Sequence, residues 1–229
     1  MLGIDGAGAT ALGSPHFFPA WVQHSLRWAA LVIPFGALCA TQLVGRVVPT
    51  LERTAKVAEV LPQDPQAQFN YGKALHEAGR VEDAVSRYEF AIDKKPSLAE
   101  AEFFLGLAWQ DLGVSRNDPS DWGRAIELDK AIEHYERSLV LDPKNGKYEA
   151  NLAGVLVMKG LRDEARRRYE HSLSVNPDLQ IAHKELADIL CGNGEYESGI
   201  AHYEEALRLQ PDFEAAKQNL SFARTLVGR

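Results

Sequence analysis

Seven histidines and two cysteines are the side chains of this 229-residue chain best able to bind a metal or attack a substrate, and their spacing suits neither task. Metal motifs bring Cys and His ligands together in closely spaced pairs. Here Cys39 and Cys191 stand far apart, and the histidines show no ligand spacing. Cys191 has no paired Cys or His nearby and reads as a structural thiol rather than a nucleophile. "GAGATA", residues 6–11, fits the G-x-G-x-x-A dinucleotide fingerprint, but that motif needs a buried strand before it, and "MLGID" supplies none. Residues 1–18 therefore read as a flexible Gly/Ala-rich start. Arg166, Arg167 and Arg168 are interleaved with Asp163, Glu164 and Glu170, as on a solvated helix face, with a lipid-headgroup contact as the alternative. No set of acid, base, nucleophile or ligand residues emerges. The sequence predicts no enzyme, no catalytic residue, no cofactor, no metal and no small-molecule substrate.

Composition narrows the remaining classes. Apolar residues are 45% and charged residues 25%, as in globular proteins. A net charge of −7 argues against a nucleic-acid partner, which needs a dense basic footprint.

The elements that position these residues follow from a repeat. Gly72, Ala84, Tyr88 and Pro96 stand at intervals of twelve, four and eight. Ala153, Ala165, Tyr169 and Pro177 repeat those intervals, as do Ala187, Gly199, Tyr203 and Pro211. Each unit reads as two amphipathic helices. Gly79, Gly160 and Gly194 suit a left-handed cap at the end of the first helix, and each proline ends the second. Small residues at Gly72, Gly106, Ala153 and Ala187, and at Ala84, Ala131, Ala165 and Gly199, allow close helix approach. Tyr88, Tyr135, Tyr169 and Tyr203 fill the gaps between them. One pair cannot bury its apolar face alone, so the units must stack.

This pattern resembles the tetratricopeptide repeat. The resemblance covers four units, 65–98, 99–145, 146–179 and 180–213, and implies an all-α solenoid of helix-turn-helix repeats. The family's usual Trp near the start of the first helix is replaced by Gln68, Glu102, Glu149 and His183. His134 and His202 each precede a repeat tyrosine, which the repeat geometry makes a solvent-facing position. Residues 50–62 read as an N-terminal capping helix, and 214–229 as a C-terminal one. The second unit carries an insertion at 114–126. Its reading is a mobile link at 114–117 followed by a second helix from about 119 to 141, whose projecting end carries Trp122. That end is either ornamental or a partner contact.

The resemblance also implies a concave groove, lined by the first helices, that takes protein partners. Carried across by register, its lining is Gln66, Phe69, Lys73 and His76; Glu100, Phe103, Leu107 and Gln110; Lys147, Ala150, Gly154 and Val157; then Ile181, Lys184, Asp188 and Cys191. The apolar centre favours an amphipathic helix or an extended apolar segment as ligand. Whether Phe103, beside Phe104, faces the groove or packs between units is left open. The family's Lys/Asn/Arg clamp for a terminal carboxylate is not expected, since only Lys73 and Asn151 could serve and their combination is wrong.

Ahead of the repeats, residues 28–45 hold thirteen apolar residues and no charge. Eighteen helical residues span about 27 Å, against a hydrocarbon core of roughly 30 Å. Residues 19–47 thus read as a single transmembrane anchor helix, with Trp28, Leu31, Ile33, Phe35, Leu38 and Leu43 among its lipid-facing side chains. The first twenty-six residues contain no Lys or Arg, which disfavours a cleaved signal. A helix buried in the core or in a partner is the remaining alternative. Arg46, Arg53 and Lys56 follow the run while Arg27 alone precedes it, so the positive-inside rule favours a cytoplasmic solenoid.

Together these readings predict a single-pass membrane protein whose repeats form a protein-protein interaction scaffold. Its partners would be other subunits of a membrane complex in which it resides. The alternatives are an assembly factor, or a soluble or periplasmic adaptor, that binds partners transiently.

Overall fold

The structure, a computed structural model, describes residues 50–115 and 122–227, without the side chain of Trp122. The chain divides into two units, Met1–Pro49 and Thr50–Arg229, and the described residues all belong to the second. The anchor segment 19–47 and the 1–18 start lie outside the described residues. Among those described, no helix is long and apolar enough to cross a membrane.

The described residues form helices without strands. Helix α1 spans residues 50–60. Four antiparallel pairs follow: α2 (Pro65–Glu77) with α3 (Val81–Lys94), α4 (Ala99–Ser115) with α5 (Trp122–Leu141), α6 (Gly146–Met158) with α7 (Arg162–Val175), and α8 (Gln180–Gly192) with α9 (Tyr196–Leu209). Helix α10 (Glu214–Val227) closes the series. Each first helix from α4 onward packs against its own second helix and against the second helix of the pair before it, which makes an all-α, tetratricopeptide-like solenoid.

Local chemistry sets the ends. The Asp64 carboxylate accepts from the Ala67 backbone N–H at 2.8 Å, with Pro65 at the first helical position. At the close of α2, Gly79 adopts φ +77°; its N–H donates to the His76 carbonyl and that of Arg80 to the Leu75 carbonyl, both at 2.9 Å. Gly160 and Gly194 repeat this left-handed termination at φ +80° and +85°.

The second pair departs from the others. Helix α4 has 17 residues against 13 in α2, and α5 has 20 against 14 in α3. The insertion therefore lengthens both helices, and Val114 and Ser115, expected in a mobile link, are helical. Gly113 is buried inside α4, where an added Cβ would stand 3.2 Å from Leu128. That small residue lets the longer helices continue side by side. Residues 116–121 lie outside the described residues.

Between the helices of each pair, the repeat tyrosine packs on a small residue. A Cβ on Gly106 would come within 2.9 Å of the Tyr135 ring, and one on Gly72 within 2.8 Å of Tyr88. Both rings are completely buried.

The four residues in place of the family tryptophan are buried too, at 3–8% exposure, and each is paired across its unit with the residue just before the repeat tyrosine. Arg87 Nη1 donates to Gln68 Oε1 at 3.1 Å, His134 Nδ1 lies 2.7 Å from Glu102 Oε2, Arg168 Nη1 donates to Glu149 Oε1 at 3.1 Å, and His202 Nδ1 lies 2.9 Å from His183 Nδ1. His134 and His202 are thus half-buried members of polar pairs, not solvent-facing groups. The polar residue opposite each of them draws it inward. Gln68 Nε2 also donates to the Pro62 carbonyl at 3.2 Å, and His183 Nε2 lies 2.9 Å from the Pro177 carbonyl. These two side chains therefore tie their units to the proline turn before them.

Gly106→Ala should lower stability by about 1–3 kcal/mol, because Tyr135 has no space into which to retreat; chemical denaturation measures it. The histidine pair predicts a pH effect. The Pro177 carbonyl only accepts, so His183 Nε2 carries hydrogen and a neutral His183 accepts from His202 at Nδ1. Burial, then the nearby His183, pushes the His202 pKa below its ordinary 6.5, against the opposing pull of Glu170 and Glu205. The unfolded chain takes up that proton more readily, so the stabilisation is present above pH 6.5 and is lost as pH falls through the lowered folded value. Melting curves across that range should show the loss in the native chain. The double variant His183→Gln/His202→Arg, which copies the Gln68–Arg87 pair, should not show it.

Candidate partner-binding groove

Successive first helices meet along one side of the solenoid. Lys73 Nζ lies 4.9 Å from the centre of the Phe104 ring, His76 Nε2 lies 2.8 Å from Asp111 Oδ2, and Asn219 Nδ2 donates to Asp188 Oδ1 at 2.8 Å. These contacts join α2 to α4 and α8 to α10, so the row of first helices forms a continuous surface at both ends.

Two expected groove residues are interior. Phe69 is 1% exposed and packs edge-on against Phe104 at 5.5 Å; Phe103 is 6% exposed and stacks on Tyr148 with ring centres 4.4 Å apart. Both join repeats to one another and offer no surface. Phe104, which the sequence could not separate from Phe103, takes the half-buried place beneath Lys73. Nothing in two consecutive phenylalanines marks which one faces out; the packing of Tyr148 against Phe103 decides it.

The rest of the lining divides by chemistry. Leu107, Ala150, Gly154 and Val157 are half-buried, Ile181 is 59% exposed, and Lys147 is exposed at the start of α6. Lys184 pairs with Asp188 at 2.8 Å and with Glu185 at 3.0 Å, so its charge is already matched. Cys191 is half-buried, and burial followed by the neighbouring Asp188 pushes its thiol pKa up, which keeps it protonated and unreactive. Among the described residues no group of three or more His, Cys, Asp or Glu side chains is placed to hold a metal ion. The expected contact at Trp122 falls on a side chain outside the described residues.

The repeat tyrosines also reach this row from behind. Tyr88 hydroxyl lies 3.5 Å from His76 Nδ1, Tyr135 donates to Gln110 Oε1 at 2.8 Å, and Tyr203 donates to Asp188 Oδ1. Between α6 and α8 a cleft of ≈ 170 Å³ opens, lined by Lys147, Ala150, Asn151, Tyr169, Leu179, Gln180, Ile181 and Ala182. It was not foreseen from the sequence, because Tyr169 reads there as one more core aromatic.

Because Phe69 is structural, Phe69→Ala should cost about 3–5 kcal/mol of stability, seen as a lowered denaturation midpoint, rather than act on a partner alone.

Comparison with known proteins agrees with this architecture. Residues 48–99 and 180–213 each match a tetratricopeptide repeat model. No curated protein matches the sequence. Among solved structures the chain is similar to TTC0263, a thermophilic TPR protein of Thermus thermophilus, with a TM-score of 0.65 and 19% identity, covering 82% of this chain and 95% of that one. It is also similar to MamA, with a TM-score of 0.60 and 20% identity over 75% of this chain and 93% of that one. A MamA structure from Desulfovibrio magneticus RS-1, running from residue 41 to the end, gives a TM-score of 0.60 and 14% identity, covering 81% and 96%. At these identities the likeness is one of fold. The chain carries tetratricopeptide repeats.

Proposed function

We propose that the chain is a scaffold for protein-protein interaction, tied to a membrane by residues 28–45 and resident in a larger membrane complex, with its repeats on the cytoplasmic side. The observation that supports the scaffold is the row of Leu107, Ala150, Gly154, Val157 and Ile181 along the first helices. It is an accessible apolar strip with charge at its rim, and among the described residues no cluster of His, Cys, Asp or Glu able to hold a metal ion stands beside it. An amphipathic helix or extended apolar segment laid along it would bury that strip. Membrane attachment rests on the uncharged run and its length, and the cytoplasmic side on Arg46, Arg53 and Lys56 following it.

Alkaline carbonate extraction of membranes from cells carrying a tagged chain tests the anchor: an integral span stays in the pellet, whereas release to the supernatant would leave an adaptor. After gentle solubilisation, a resident subunit should co-elute with companions in constant ratio; elution alone would point to an assembly factor. Val157→Asp with Ile181→Asp should remove those companions without changing the far-ultraviolet circular dichroism, and companions retained by the folded variant would count against the groove.

A further inference from the structure

We propose that the third repeat contains a backbone-recognition subsite. There the Tyr169 hydroxyl, reached across Gly154, donates to a main-chain carbonyl of a bound partner segment, and an aliphatic side chain of that segment enters the cleft between α6 and α8. This rests on the groove reading above and specifies what the groove holds at one point.

The four repeat tyrosines supply the argument. Three have their hydroxyls occupied by a polar residue of their own first helix: His76, Gln110 or Asp188. In the third unit the corresponding first-helix positions are Gly154 and Val157, which can bond to nothing. Tyr169 is 2% exposed, its hydroxyl has no hydrogen-bond partner among the described residues, and it lines the cleft. The hydroxyl is not sealed in the core but opens to the cleft, where an incoming acceptor can reach it. A Cβ on Gly154 would stand 3.5 Å from that oxygen, and its absence leaves an approach for an incoming chain.

The surroundings select the acceptor. Burial, then the carboxylates of Glu185 and Asp188, pushes the Tyr169 pKa up, so the group stays protonated and donates. Glu185 and Asp188 are both paired with Lys184, which leaves no unmatched cation on α8 to hold a carboxylate and favours a neutral carbonyl at this oxygen. Beside it Ala150, Leu179, Ile181 and Ala182 form an apolar wall with room for one aliphatic side chain. Lys147, exposed at the cleft's edge and in no ion pair among the described residues, favours an acidic residue flanking that side chain.

The test titrates the full chain, in detergent, with the doubly blocked tetrapeptide acetyl-Asp-Leu-Ala-Ala-amide, followed by NMR or calorimetry. Saturable binding in the low millimolar range or tighter is expected. It should be weakened roughly three- to tenfold by Tyr169→Phe, the net worth of one hydrogen bond, with no fall in melting temperature. Gly154→Leu, whose Cβ would meet only the Tyr169 hydroxyl at 3.5 Å and whose longer side chain blocks the approach, should weaken it by more than about tenfold. The same peptide with a free C-terminal carboxylate should bind no more tightly. Equal affinity for native, Tyr169→Phe and Gly154→Leu chains, or no binding of the blocked peptide, overturns the subsite. If Val157→Asp/Ile181→Asp still loses its companions in that case, the groove stands without the subsite; if it keeps them, both fall.

Discussion

A pair of short helices cannot bury its own apolar face, and this single limitation organises everything from α1 to α10. The helices must lie close enough for one tyrosine ring to fill the space between them, and that is possible only where the facing helix has almost no side chain. Gly72 under Tyr88 and Gly106 under Tyr135 meet the condition with ring carbons less than 3 Å from where a Cβ would lie. Once a pair is closed in this way, its remaining apolar surface faces the next pair. Stacking continues until a helix with a polar outer side ends it. Helix α10 does so: Ala216, Leu220 and Ala223 are buried while its exposed side is mostly polar, with Lys217, Ser221 and Arg224 beside one exposed aromatic, Phe222. Terminal elements with a polar outer face are what a linear array requires to stay soluble at its ends.

The same geometry explains how the array tolerates four polar residues where its family has an aromatic. A buried polar group costs free energy unless it finds a partner. The residue ahead of each tyrosine stands opposite on the second helix and supplies one. The solutions differ in chemistry: an amide with a guanidinium, carboxylates with a histidine or a guanidinium, and two imidazoles. All are pairs within a unit, so they add no constraint on the helix order. Gln68 and His183 go further and bond the preceding proline turn, which couples neighbouring units by a directional contact as well as by apolar packing.

Along the row of first helices, variation is freer, because these side chains are not needed to close a pair. The resulting surface is uneven. It is aromatic and cationic near Lys73 and Phe104, apolar and shallow from Leu107 to Val157, and charged but internally matched at Lys184 and Asp188. Loss of a polar partner for one tyrosine in the third unit leaves an occupied core position with an unoccupied hydroxyl. A structural residue there becomes available to a ligand without leaving the core.

Sequence alone determined the repeat, the left-handed glycine turns and the tyrosine-to-small-residue fit. All of these depend on contacts within about thirty-four residues and recur, so their spacing carries the information. Tertiary structure decided what depended on a neighbouring unit. Phe103 and not Phe104 turned inward because Tyr148 of the next repeat stacks on it. His134 and His202 turned toward buried partners because polar residues stand across from them. The insertion lengthened two helices because Gly113 lets α4 continue past Leu128 of α5. A repeat pattern specifies which positions face a partner helix, but it does not say which side chain that helix presents there, and that choice set the burial of each groove residue.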